Sequence, residues 1–205
     1  MINVSNEFKT LMSERQDFKE YAEVTLANGT VLELTEDDFS IDNNSLVDSA
    51  GANSIPLGVA LSRNVQLEIM NDDDHLSDYD FFGAKIRLYL TFELSSTTEK
   101  IEYGTFTVTQ PETYGSVVTI VGYDDMYKAD KTYSTTLTFP ATAKSVLIDS
   151  CDTCGILIGN SNFLHNDFQI PTMPSSEYTH RQIIGFIAMI ACGNARIDRT
   201  GHLQI

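Results

Sequence analysis

Residues 116–155 read SVVTIVGYDDMYKADKTYSTTLTFPATAKSVLIDSCDTCG. The fold class turns on this stretch, because its pattern changes part-way along. SVVTIVGYD, 116–124, reads as a β-strand, the last of a run. Past residue 135 the apolar spacing becomes helical. Pro140 precedes a segment that starts near Thr142. From there Ala143, Val146, Leu147, Ser150, Cys151 and Cys154 follow at spacings of 3, 1, 3, 1 and 3, which is one face of a helix. Gly155 suits the left-handed residue that ends it. Strands followed by helices predict an α+β chain.

Upstream, the strand signals are short and closely spaced, as in a sandwich or barrel. Ala22, Val24 and Leu26 alternate with Glu23 and Thr25. Asn28-Gly29 follows, then Val31 to Leu34. Asn-Gly between alternating runs predicts a two-residue hairpin turn, with positive φ at both central residues. Val65, Leu67 and Ile69 alternate, as do Ala84, Ile86, Leu88 and Leu90. EYGTFTVTQ, 102–110, is a further strand. Residues 36–62 look like polar loop with apolar islands such as SLVDS and IPLG. Ser5 is a candidate cap for a first helix carrying Phe8, Leu11 and Met12.

Downstream, Thr179 and Gln182 form a Thr-x-x-Gln capping box. Ile183, Phe186, Ile187 and Ile190 give that helix its apolar stripe, and Gly193 is placed to end it. Ala195 and Ile197 pair with Leu203 and Ile205 across Arg199-Thr200-Gly201. The expected organisation is a β-barrel or sandwich domain, 1–135, followed by a partial α/β domain, 136–205, with two helices and a C-terminal hairpin.

The 205 residues carry 29 acidic and 13 basic side chains, a formal charge of −16. Such a surface repels polyanions and lacks the clustered cations of a nucleic-acid or anionic-lipid grip. No apolar run is long enough to span a membrane. The opening MINVSNEFKTLMSERQDF has no apolar signal-peptide core, so synthesis is expected to end in a cytoplasm.

Cys151 and Cys154 form a Cys-x-x-Cys pair, which raises zinc, redox and disulfide readings. Their place in the last turn of a helix speaks against redox. The dipole there opposes thiolate, and Asp149 and Asp152 add negative charge. Zinc needs four ligands, and Cys192 with His165, His180 or His202 could complete a site only through tertiary placement. The simplest reading is two buried thiols acting as small apolar side chains.

NDDDHLSDYD, 71–80, holds five aspartates but fails the calcium-loop pattern, with Leu76 at a ligand position and no turn glycine. A solvated loop fits better. Asp37-Asp38 and Asp124-Asp125 are paired carboxylates of a kind common in turns. No nucleophile, phosphate-loop or zinc-protease motif is present. The chain reads as a non-enzyme, with no catalytic, cofactor-binding or metal residue assigned.

The order of segments is more specific than any one of them. NSIPLGVALSRNVQLEIMN is followed by DFFGAKIRLYL, EYGTFTVTQPE and TIVGYDDMYKADKTY. LTFPATAKSVLIDSCDTCGI and YTHRQIIGFIAMIACGNARIDRTGHLQI complete the series. Over roughly residues 15–205 this series resembles the N-terminal region of phage and prophage baseplate hub proteins, which are related in fold to the type VI secretion spike base. The resemblance implies that Tyr123-Asp124-Asp125-Met126 closes the first barrel and that Phe139-Pro140 opens the next domain. It implies a virion tail protein, homotrimeric at full length, that joins the tail tube to the distal tip. Its partners would be tail tube and distal tail proteins, with DNA passing through rather than binding. A second barrel would follow Ile205 in such proteins, so the α/β domain is expected to be incomplete here. The competing expectation is a host-surface module binding glycan or protein.

Overall fold

The structure is a computed structural model and describes residues 4–13, 18–40, 44–49, 56–110 and 114–205. The described residues form helices α1 (Asn6–Ser13), α2 (Ala143–Cys154) and α3 (His180–Ile190). The strands are β1 (Lys19–Thr25), β2 (Val31–Leu34), β3 (Ser45–Ser49), β4 (Ala60–Met70), β5 (Lys85–Glu93), β6 (Thr98–Val108), β7 (Val117–Tyr123), β8 (Ala141–Thr142), β9 (Leu157–Ile158), β10 (Gln169–Ile170), β11 (Ala195–Ile197) and β12 (His202–Gln204). The chain is α+β, as its pattern predicts. Ile55, in the IPLG island, and the side chain of Leu11 lie outside the described residues.

By contacts the chain divides into two compact units, each built from two stretches. One is Met1–Asn44 with Gln66–Val121, and the other is Ser45–Val65 with Gly122–Ile205. The sequence reading puts one boundary near residue 135. The contact-defined units alternate along the chain because β3 pairs with β4, and the start of β4 pairs with β11.

The first unit is a sheet in the order β2-β1-β5-β6-β7-β4. Its alternation does what the sequence suggests. Val24 pairs with Ile86 and Ala22 with Leu88, and all four are buried. Phe106, Val118, Ile120, Leu67 and Ile69 are buried on the following strands. Leu90, expected in the same row, is only partly covered, and Phe92 takes the burial. Phe92 is held edge-on by Phe8 of α1 at 4.6 Å. Ser5 caps α1 by accepting from the amide of Phe8 at 3.0 Å.

Three details depart from the sequence reading. The β1–β2 turn has three residues, with Leu26 N–H donating to Thr30 O at 2.8 Å. Only Gly29 has positive φ, +87°, so the turn is a type I turn closed by a left-handed glycine. β6 carries a bulge. Leu88 pairs with Gly104 but Tyr89 with Glu102, so Tyr103 is the extra residue. That moves the buried set from Ile101 to Phe106, a change of parity. Finally, the sheet does not close into a barrel among the described residues. An isolated antiparallel bridge from Phe39 to Ile69 links the segment after β2 to β4.

The second unit holds β3 paired with β4, then β4-β11-β12-β9, and a separate β8–β10 pair. β11 runs parallel to β4, with Ala195 opposite Ala60. The hairpin register is as expected, Ile197 opposite Leu203. α2 and α3 supply most of the core through Val146, Leu147, Ile183, Ile184 and Ile187. Both caps read from sequence are present. Thr142 accepts from Ser145 N–H at 3.0 Å, and Thr179 and Gln182 exchange side-chain and backbone bonds. The end of α3 differs. Cys192, at φ +57°, takes the left-handed position, and Gly193 N–H donates to Ala188 O at 2.9 Å. Gly193 is thus one residue past the left-handed turn.

β3 and the first half of β4 lie where the sequence reads as loop. Ala60 to Asn64 shows no alternation. Its backbone is fixed by tertiary partners, described next.

Candidate functional site

α2 places the cysteine pair as its spacing predicts. Cys151 is fully buried and Cys154 nearly so, while Cys192 is exposed, and all three are free thiols. Gly155 ends the helix at φ +66°. Two lysines then reach the last carbonyls. Lys128 Nζ donates to Gly155 O at 3.3 Å and Lys131 Nζ to Thr153 O at 2.6 Å. These cations offset the negative end of the dipole, so the dipole is not the main obstacle to a thiolate. Burial is. It pushes the Cys151 thiol up to about 12, with Cys154 and Asp152 adding smaller repulsions. Cys154 is also raised by burial, against the pull of Lys131. A pair so placed is suited to packing.

Cys151→Ala and Cys154→Ala are expected to cost only a small cavity penalty, about 1–2 kcal/mol each, read by chemical denaturation. Elemental analysis of unchelated protein should find no zinc. Stoichiometric zinc, lost along with the fold in Cys151→Ser, would overturn the packing role.

The acidic loop is organised from within. Asn71 Oδ1 accepts from Leu76 N–H at 2.8 Å, and its amide donates to Gly115 O at 2.9 Å. Leu76 is buried, and the five aspartates are exposed. Asp73 pairs with His75, and Asp74 with the Ser77 hydroxyl. The carboxylates therefore face solvent around a leucine plug.

The paired carboxylates are turn devices. Asp38 accepts from the amide of Thr35 at 2.7 Å and its hydroxyl at 2.9 Å. Asp125 pairs with Lys128 at 2.8 Å. Asp124 is buried. It accepts from Ser62 Oγ at 3.1 Å, Arg63 N–H at 2.9 Å and Met126 N–H at 3.1 Å. This one carboxylate pins the irregular start of β4 to the turn after β7. Sequence reasoning missed that role, since Asp124 looks like any turn aspartate.

The histidines occupy four different elements. His75 and His165 are exposed, His202 is partly covered, and His180 is fully buried. Among the described residues no group of three or more His, Cys, Asp or Glu could hold a metal ion.

One aromatic pair lies on the first unit's sheet. Tyr21 and Tyr89 stand 5.8 Å apart on β1 and β5. Lys100 Nζ sits 3.7 Å above the Tyr21 ring, and the Arg87 guanidinium 5.7 Å from that of Tyr89. The pair is already stacked by the protein's own cations.

No protein-family model matches the sequence, and no curated protein sequence matches it either. Solved structures do match. The 43 kDa tail protein of prophage MuSo2 from Shewanella oneidensis aligns with 92% of this chain, at a TM-score of 0.56 and 13% identity. The chain shares the fold of that tail protein. It spans 55% of that tail protein. Two looser likenesses are at hand. The virion of a native gene transfer agent particle aligns with 67% of this chain and half of its own, at TM-score 0.41 and 14% identity. A Francisella PdpA–VgrG complex aligns with 81% of this chain and 28% of its own, at TM-score 0.46 and 11% identity. At those scores they add nothing to the assignment.

Proposed function

We propose that the protein is a structural component of a phage or prophage tail tip, a baseplate hub joining the tail tube to the distal tip. The observation that carries this reading is the tail-protein fold shared over 92% of the chain. The buried thiols, the outward aspartates and the turn carboxylates favour a role without chemistry of its own.

In this reading the protein resides in the virion tail, contacts tail tube and distal tail proteins, and forms a homotrimer at full length. The net charge of −16 would then line a channel through which DNA slides without sticking. Deletion of the gene from an inducible prophage tests the role. Lysates are expected to hold tubes without complete tips, and antibody against the protein should label wild-type tails at the tip. Normal infectious particles from the deletion would overturn it. Light scattering tests the assembly. The 205-residue chain is expected to be monomeric or weakly associated. A version as long as the prophage tail protein should be a trimer, and a monomer at micromolar concentration would count against the hub.

A further inference from the structure

We propose that residues 131–134 and the N-terminus of α3 form an acid-released latch, with His180 as its trigger. The segment lies antiparallel to residues 178–180. Lys131 O accepts from His180 N–H at 3.0 Å, Thr132 bridges Thr179, and Tyr133 N–H donates to Tyr178 O at 2.8 Å. The last tie is to a side chain. Ser134 N–H donates to His180 Nε2 at 3.3 Å. The Tyr133 ring covers the imidazole edge-on, with centroids 5.0 Å apart. His180 is fully buried.

An imidazole nitrogen that accepts must be unprotonated, so the neutral ring carries its proton on Nδ1. A second proton would have to sit on Nε2, pointing at the Ser134 N–H. Two donors would then face each other, and the tie would be lost. The surroundings set how hard the closed latch resists. Burial opposes the charge most, and the Lys131 ammonium opposes it too, while Asp149 on α2 alone favours it. The positive end of α3 adds to the resistance. Nor is Asp149 a ready partner: its Oδ2 and His180 Nδ1 are both buried without a hydrogen bond to each other or to anything else. The closed latch therefore refuses a proton that the open latch, with His180 in water, accepts.

The linkage has one sign. A histidine held below its ordinary value stabilises the closed form above about pH 6.5, and that stability is lost as pH falls below it. The second unit thus carries a joint that loosens on acidification.

Hydrogen exchange of the whole chain, followed by NMR, tests this. Protection at the Ser134 and His180 amides should fall about tenfold per pH unit below about 6.5, the slope of one proton taken up on opening. Amides of β5 should hold. His180→Gln keeps an acceptor for Ser134 but cannot be protonated, so its protection should stay flat. Equal acid loss in this variant and the wild type would overturn the proposal. Should the variant fail to fold, the wild-type imidazole signals decide. His180 should stay neutral, with its proton on Nδ1, over the range in which Ser134 protection falls. Titration of His180 at the ordinary histidine value of about 6.5, with Ser134 protection unchanged, would overturn the latch.

Discussion

Gly185→Ala is expected to destabilise the protein by roughly 2–4 kcal/mol, although alanine is the better helix former. Gly185 lies mid-way along α3. A Cβ built there would stand 2.6 Å from the carbonyl oxygen of Gly58, a distance real Cβ atoms do not tolerate. The question is whether Gly58 can retreat. Its N–H donates to Gly193 O at 3.0 Å, and the next amide, Val59, donates to Asn194 Oδ1 at 2.9 Å. Ala195 N–H donates back to Val59 O at 2.9 Å, and Arg181 Nε to Ala60 O at 3.0 Å. Met189 blocks from another side, 2.8 Å from where a Gly58 Cβ would be. Four bonds hold the segment against the helix, so the clash must be absorbed as strain or by breaking them. The helix-propensity gain of about 1 kcal/mol is smaller than that.

Gly155 provides the control. Its φ of +66° disfavours a side chain, but nothing lies within 4 Å of a Cβ there. Gly155→Ala should cost only the backbone penalty, about 1–2 kcal/mol. Denaturant titration of both variants gives the comparison. Gly185→Ala at or above wild-type stability would mean that residues 58–60 do not press on α3 as described.

The contrast between these glycines shows what the sequence could reveal. Gly155 follows a clear helical stripe, and its role is local, so its place was legible. The same holds for Thr142, Thr179 and Gln182, whose capping partners lie three residues away. Gly185 sits inside an apolar helix and is needed because residues far off in the chain pack there. The start of β4 was illegible for a related reason. Val59 to Arg63 is held in place by Asn194, Arg181 and Asp124 rather than by an alternating pattern. The bulge at Tyr103 and the turn at Gly29 were missed because register belongs to a pair of strands, not to one. Of the candidate sites, the cysteine pair was placed correctly by periodicity alone. His180 was not, because a lone histidine at the start of a helix looks the same whether buried or exposed.

Asp124 is the side chain whose removal should be felt next most strongly. Asp124→Ala leaves the buried amides of Arg63 and Met126 without their acceptor, and Ser62 without its partner. The expected cost is about 2–4 kcal/mol, from two orphaned backbone donors. Asp124→Asn should cost less, since one oxygen remains to accept, but its amide group must turn a donor toward one of the three. The pH dependence is the sharper test. Burial lifts the Asp124 carboxyl to about 6, outweighing the three hydrogen bonds that favour its charge. A free aspartate titrates near 3.9. Between these values the folded chain holds a proton that the unfolded chain has released. Raised carboxyl groups of this kind lose stability as pH rises through the window, and the full cost is present above about 6. Asparagine has no proton to lose. Wild-type stability should therefore fall relative to Asp124→Asn as pH goes from about 4 to about 6, and then level off. His180 titrates in both proteins, with the opposite sign, and cancels in the difference. Urea titrations of the two proteins across this range read that difference directly. A constant gap would show that Asp124 is charged throughout, with its three donors outweighing burial.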